Sequence, residues 1–226
     1  QFAGYTVVDQ PTVLATHITE ILKNHAHEFI GRQETQRLLD SFAKNEPKIV
    51  EELVPGQLPL GTVQKVIQNL LREQVSIRDL HTTLETLADA SYVTKDADLL
   101  TEHVRQALSR QITRQYQTPD GMLPLITFSQ ELENQIAAAI QDSGQGSYLG
   151  LNPNVAQTVI TRIDGLLEQF TINNYQPILL CSPLIRPHVK KLVERFIPNL
   201  VVISHNEVAP DVRIEALGMV QLGGEE

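Results

Sequence analysis

The chain has 226 residues, 42% of them hydrophobic and 20% charged, with a formal net charge of -9, the profile of a globular protein with material for one large core or two small ones. The acidic balance argues against a nucleic-acid partner, which needs a basic surface to displace counterions, and against the anionic face of a membrane. A single cysteine excludes an intrachain disulfide framework and fits a reducing compartment, and no apolar run approaches the length that spans a bilayer.

In chain order, Phe2–Val8 is rich in aromatic and β-branched residues and predicts a strand. Asp9 then caps a helix with Pro11 in its first turn, where a missing N–H costs nothing. Val13, Ile18, Ile21 and Leu22 are expected to line its inner face. From Gly31 a helix runs through Leu38, Leu39 and Phe42, breaks at Asn45–Pro47, and gives way to a short helix through Ile49 and Leu53. The sharpest signal lies between Val54 and Ser91. Val63, Val66, Ile67, Leu70 and Leu71 recur at three- and four-residue spacing, and Leu80, Leu84 and Leu87 make a narrower stripe. These predict two helices joined by a tight corner, with Ser76 as N-cap of the second and Asp79 in its first turn. Asp96 or Asp98 opens a long helix presenting Leu99, Leu100, Val104, Leu108 and Ile112.

At Thr118-Pro-Asp-Gly121 a turn signature marks the expected domain boundary. Beyond it the pattern changes. Leu123–Phe128 predicts a strand whose Pro124 puts it at a sheet edge or makes this its start. A helix over 130–141 and a polar loop over 142–154 follow. An amphipathic helix carries Val155, Val159, Ile160, Ile163, Leu166, Leu167 and Phe170, with Asn152 or Asn154 as its cap. Pro177–Cys181, a helix through Ile185, Val189, Leu192, Val193 and Phe196, and Leu200–Ile203 predict a βαβ unit with parallel strands. A last strand covers 214–220. The fold class is therefore mainly α: an all-helical subdomain over 29–117, then a small α/β subdomain over 118–226.

Four constellations were weighed for chemistry. Cys181 ends one predicted strand and His205 follows the next, the edge where open α/β sheets bind ligands, and His188 lies between them in sequence. This would suit a small Cys-dependent α/β enzyme, but no nucleophile elbow surrounds Cys181, and a buried thiol with two surface imidazoles is preferred. Gly144-Gln-Gly146-Ser-Tyr-Leu-Gly150 follows a helix and lacks the Lys-Ser/Thr end of a phosphate loop. His17, His25 and His27 lack zinc-ligand spacing and read as solvated side chains. Helices over 62–73 and 78–89 imitate a helix-turn-helix, but the second brings only Arg78 and His81 as basic groups. The residues therefore point to no catalytic or metal site and to no cofactor.

Three blocks in order carry a resemblance: Gly4-Tyr-Thr-Val-Val-Asp9 with Thr12–His17, then Gly31–Asp40, then Leu70-Leu-Arg-Glu-Gln-Val-Ser-Ile-Arg-Asp-Leu80 with Leu84–Asp89. Together they resemble the C-terminal cytoplasmic region of the type III secretion export-gate family, FHIPEP, most specifically from Gly4 to Ser91. The resemblance implies that residues 1–28 end an upstream subdomain and that the chain is a C-terminal piece of an inner-membrane protein, lying in the cytoplasm. It implies docking and ordering of export cargo rather than catalysis, in the flagellar branch or, alternatively, in a virulence injectisome. The implied partners are export chaperone–substrate complexes, components of the export ATPase complex, and further copies of the protein in a nonameric ring contacted through the helical subdomain. It further implies a shallow apolar chaperone-binding dimple whose contacts would be Val8, Val13 and Thr16. By residue type alone, Val8 and Val13 would be ordinary core; the resemblance reverses that reading.

Overall fold

In the computed structural model, residues 9–143 and 146–223 are described; the predicted strand Phe2–Val8 lies outside them. Helices dominate the first part: α1 (Gln10–Asn24), α2 (Arg32–Ala43), α3 (Pro47–Glu51), α4 (Leu60–Arg72), α5 (Leu80–Ala90), α6 (Ala97–Ala107) and α7 (Ser109–Tyr116). A 3-10 turn, Ala26–Phe29, separates α1 from α2, and a wide turn, Glu52–Gln57, separates α3 from α4. Strands and helices then alternate: β1 (Met122–Phe128), α8 (Gln130–Ala138), β2 (Ile140–Ser143), β3 (Gly146–Leu149), α9 (Pro153–Ile172), β4 (Ile178–Cys181), α10 (Arg186–Val193), β5 (Val201–Ser204) and β6 (Arg213–Val220). The expected class, mainly helical with a small α/β unit, is the one observed.

The chain divides into two compact units that part between Thr101 and Glu102, inside α6. The expected boundary at Thr118–Gly121 falls within the second unit. Residues that precede it reach into the α/β part: Arg105 donates to Glu207, Thr113 Oγ1 donates to the Glu207 carbonyl at 2.8 Å, and Ala209 N donates to Thr113 Oγ1 at 3.0 Å. The turn itself is well made, with Gly121 N donating to Thr118 O at 2.9 Å and Gly121 at φ +78°, a conformation glycine adopts at little cost.

In the first unit α4 is the central helix. Val63, Val66, Ile67 and Leu70 are fully buried, each stabilising the fold by roughly 1.5–3 kcal/mol through removal of apolar surface from water. Gln64 and Gln68 on another side of α4 both donate to the Ile30 carbonyl, at 3.2 and 2.8 Å, and so fix the entry to α2. The corner to α5 is a Schellman turn: Gln74 takes φ +56°, and Val75 N and Gln74 N donate to Leu70 O and Leu71 O. The cap of α5 differs from expectation. Ser76 Oγ accepts from Arg78 N at 3.4 Å, a local turn, whereas Asp79 accepts from Thr82 N at 3.0 Å and is the cap itself. Asp96 caps α6 by accepting from Asp98 N and Leu99 N. The long helix expected after it is interrupted at Leu108 (φ -87°, ψ 13°), which divides α6 from α7.

The second unit is built on a four-stranded sheet in the order β5-β4-β1-β6, with every neighbouring pair parallel. All four residues of β4 are buried, the continuous apolar run of a strand covered on both faces. Pro124 is accommodated although β1 is an inner strand. Its pairing with β4 begins only at Ile126, and on the β6 side Pro124 lies opposite Glu215, so the missing N–H falls near the strand's start. One core gathers Ile126 and Phe128 of β1, Leu132 and Ile136 of α8, Ile163 and Phe170 of α9, and Val189 and Val193 of α10. Asn152 caps α9, accepting from Asn154 N at 2.9 Å. The segment expected to be a loop over 142–154 is in part the antiparallel hairpin β2–β3, with Ser143 paired to Gly146. Its side chains alternate too weakly in polarity for a period of two to be read.

A chain of charges is buried in this unit. Arg105, Arg186 and Glu207 are each about 1% exposed. Glu207 accepts from Arg105, lies 3.7 Å from Arg186 Nε, and also takes hydrogen bonds from Ser204 N and Oγ at 3.0 and 2.9 Å. Arg186 pairs in turn with Glu102 of α6. Buried ions are tolerated when paired and hydrogen-bonded in this way. The network ties α6 and α10 to the C-terminal end of β5.

Candidate docking surface

The α1 helix carries the two described residues of the expected dimple, Val13 and Thr16. Its start follows from the sequence: Asp9 accepts from Thr12 N at 3.2 Å, and Pro11 lies in the first turn. The Thr12 hydroxyl, and after it the Thr12 N–H, hold the Asp9 carboxyl below its ordinary value of 3.8. A group depressed in the folded state stabilises above its unfolded pKa, and the contribution disappears as pH falls through the folded one. The start of α1 should therefore fray below about pH 4, seen as lower amide-exchange protection at Val13–Thr16 relative to the intrinsic rate at each pH, and Asp9→Ala should show the same low protection at neutral pH.

No residue of α1 is buried. Leu14, Ile18, Ile21 and Leu22 follow an i, i+4, i+7, i+8 pattern and are 46–61% exposed, a stripe of the kind a helix normally turns toward a core. The expected inner face is thus uncovered among the described residues. Val13 and Thr16 lie roughly 125° and 175° around the helix from the centre of that stripe, at about 100° per residue. Val13 is 52% exposed, so it is not core here. Thr16 Oγ1 donates to the Thr12 carbonyl at 2.9 Å. Its hydroxyl is satisfied within the helix, and what it can offer a partner is a methyl group. The two residues are three apart and share one side of α1. Val8 lies outside the described residues. Val13 therefore does not share the inner face expected of it with Ile18, Ile21 and Leu22; the helical spacing sets it apart.

The other constellations resolve differently. Cys181 pairs with Ser204 across β4 and β5, so the predicted closeness of Cys181 to the start of the His205 segment is real. The thiol, however, is fully buried and Sγ lies 3.8 Å from the Ile203 carbonyl. Burial pushes its pKa up, against the opposing pull of Arg186, and a protonated buried thiol is a poor nucleophile. A thiol reagent should leave Cys181 unmodified in the native protein and label it fully in denaturant; fast native labelling would contradict this burial. His188 is not a surface imidazole: it is buried, and Nε2 lies 3.3 Å from Ser147 Oγ. His25 Nδ1 meets Glu28 Oε1 at 2.7 Å, a contact that lowers the Glu28 pKa. His27 is largely buried rather than solvated. Gly144 and Gln145 lie outside the described residues. Among the described residues no group of three His, Cys, Asp or Glu side chains could hold a metal ion, and no helix is long and apolar enough to cross a membrane.

Comparison with known proteins decides the family. The FHIPEP family model matches residues 1–213. The chain belongs to the FHIPEP family. The flagellar biosynthesis protein FlhA of Bacillus subtilis is 45% identical over 97% of this chain, and that of Escherichia coli 39% over 95%. The chain spans about a third of the length of these curated relatives, 32% and 30% respectively. Among solved structures, the Chlamydia pneumoniae CdsV protein superposes with a TM-score of 0.86 at 30% identity, covering 92% of this chain and 60% of that one. The nonameric SctV-C of EPEC superposes with a TM-score of 0.80 at 33% identity, covering 90% and 61%. CdsV has also been solved in complex with CdsO, and that structure superposes with a TM-score of 0.86 at 28% identity, covering 97% and 64%.

Proposed function

We propose that this chain is the C-terminal cytoplasmic part of the export gate of a flagellar type III secretion apparatus, an inner-membrane protein, and that it serves as a docking platform for chaperone–substrate complexes. The observation that carries the docking reading is the division of α1. An apolar stripe of four residues, Leu14, Ile18, Ile21 and Leu22, faces one way and is exposed among the described residues. Val13 and Thr16 stand on a separate side, exposed on a capped helix and presenting apolar atoms. A shallow apolar floor on a helix is what a folded partner can use without ordering a loop. In this reading residues 1–28 close an upstream subdomain, and a helical subdomain precedes the C-terminal α/β one.

The ring and the export apparatus enter the same way. That SctV-C is nonameric and that CdsV forms a complex with CdsO support a ring of this protein and a protein partner in the export apparatus. The flagellar branch is favoured over an injectisome by the 45% and 39% identity to flagellar relatives. Pull-down of the complete cytoplasmic domain with chaperone–substrate complexes from the same cell tests the proposal. Retention of flagellar late substrates with their chaperones is expected, and retention of none would overturn it.

A further inference from the structure

We draw no further inference here: the strongest candidate, the hydrogen-bonded corner between α5 and α6 that holds the Tyr92 and Val93 side chains in solvent, is an unpartnered apolar projection, and nothing in the structure shows what covers it.

Discussion

Replacing Glu207 by alanine should destabilise the second unit by about 3–5 kcal/mol, the cost of stranding buried charge when one partner of an ion pair is removed. Glu207 is the hub: it faces both Arg105 and Arg186, and its carboxylate also takes the Ser204 N–H and hydroxyl. Alanine removes the buried carboxylate from both guanidiniums and leaves Arg186 paired with Glu102, which is itself partly exposed. Urea unfolding followed by circular dichroism reads the loss directly as a shift in midpoint. Glu207→Gln keeps the shape and one hydrogen-bond acceptor, and should fall between alanine and wild type. Asp211→Ala, an exposed carboxylate in the same loop region, should change stability by less than about 0.5 kcal/mol. A loss at Glu207 no larger than at Asp211 would show that the network contributes nothing to the fold.

This network also marks where sequence reading stopped. Helices with strong periodicity were legible: the stripe Val63, Val66, Ile67, Leu70 became the buried face of α4, because burial of one face and a 3.6-residue period are the same constraint. The parallel pairing of β4 with β5 was legible too, since a short strand–helix–strand run leaves little topological choice. Arg105 and Glu207, by contrast, are about a hundred residues apart, and each alone reads as an ordinary surface charge. Only the fold brings them together. That is why the expected boundary at Thr118 was placed after α7, although Arg105 and Thr113 are bound to the second unit. The hairpin β2–β3 leaves little trace in the sequence because only its ends, Ile140 and Leu149, pack on the core, while 141–143 and 146–148 are exposed and impose no alternation. For the proposed docking surface, the family resemblance named Val13 and Thr16. The exposure of the first and the internally satisfied hydroxyl of the second required coordinates.

The second large effect is expected at that surface. Thr16→Asp or Val13→Asp in the full-length protein should block export of chaperone-delivered late substrates and leave early, chaperone-independent substrates passing. An aspartate in an apolar contact must be desolvated on docking with no partner provided. A loss of about 3 kcal/mol weakens a complex more than a hundredfold, enough to abolish a transient micromolar interaction. Thr16 is the cleaner probe. Its side chain is exposed and its hydroxyl bonds only its own helix, and Thr16→Val, which removes the hydroxyl and keeps the methyl surface, should bind as wild type does.

Isothermal titration of a chaperone–substrate complex into the complete cytoplasmic domain, wild type against Thr16→Asp, with thermal melts of both proteins, tests the docking claim most directly. The account predicts equal melting and an affinity lowered at least a hundredfold. Equal melting with unchanged affinity would contradict it.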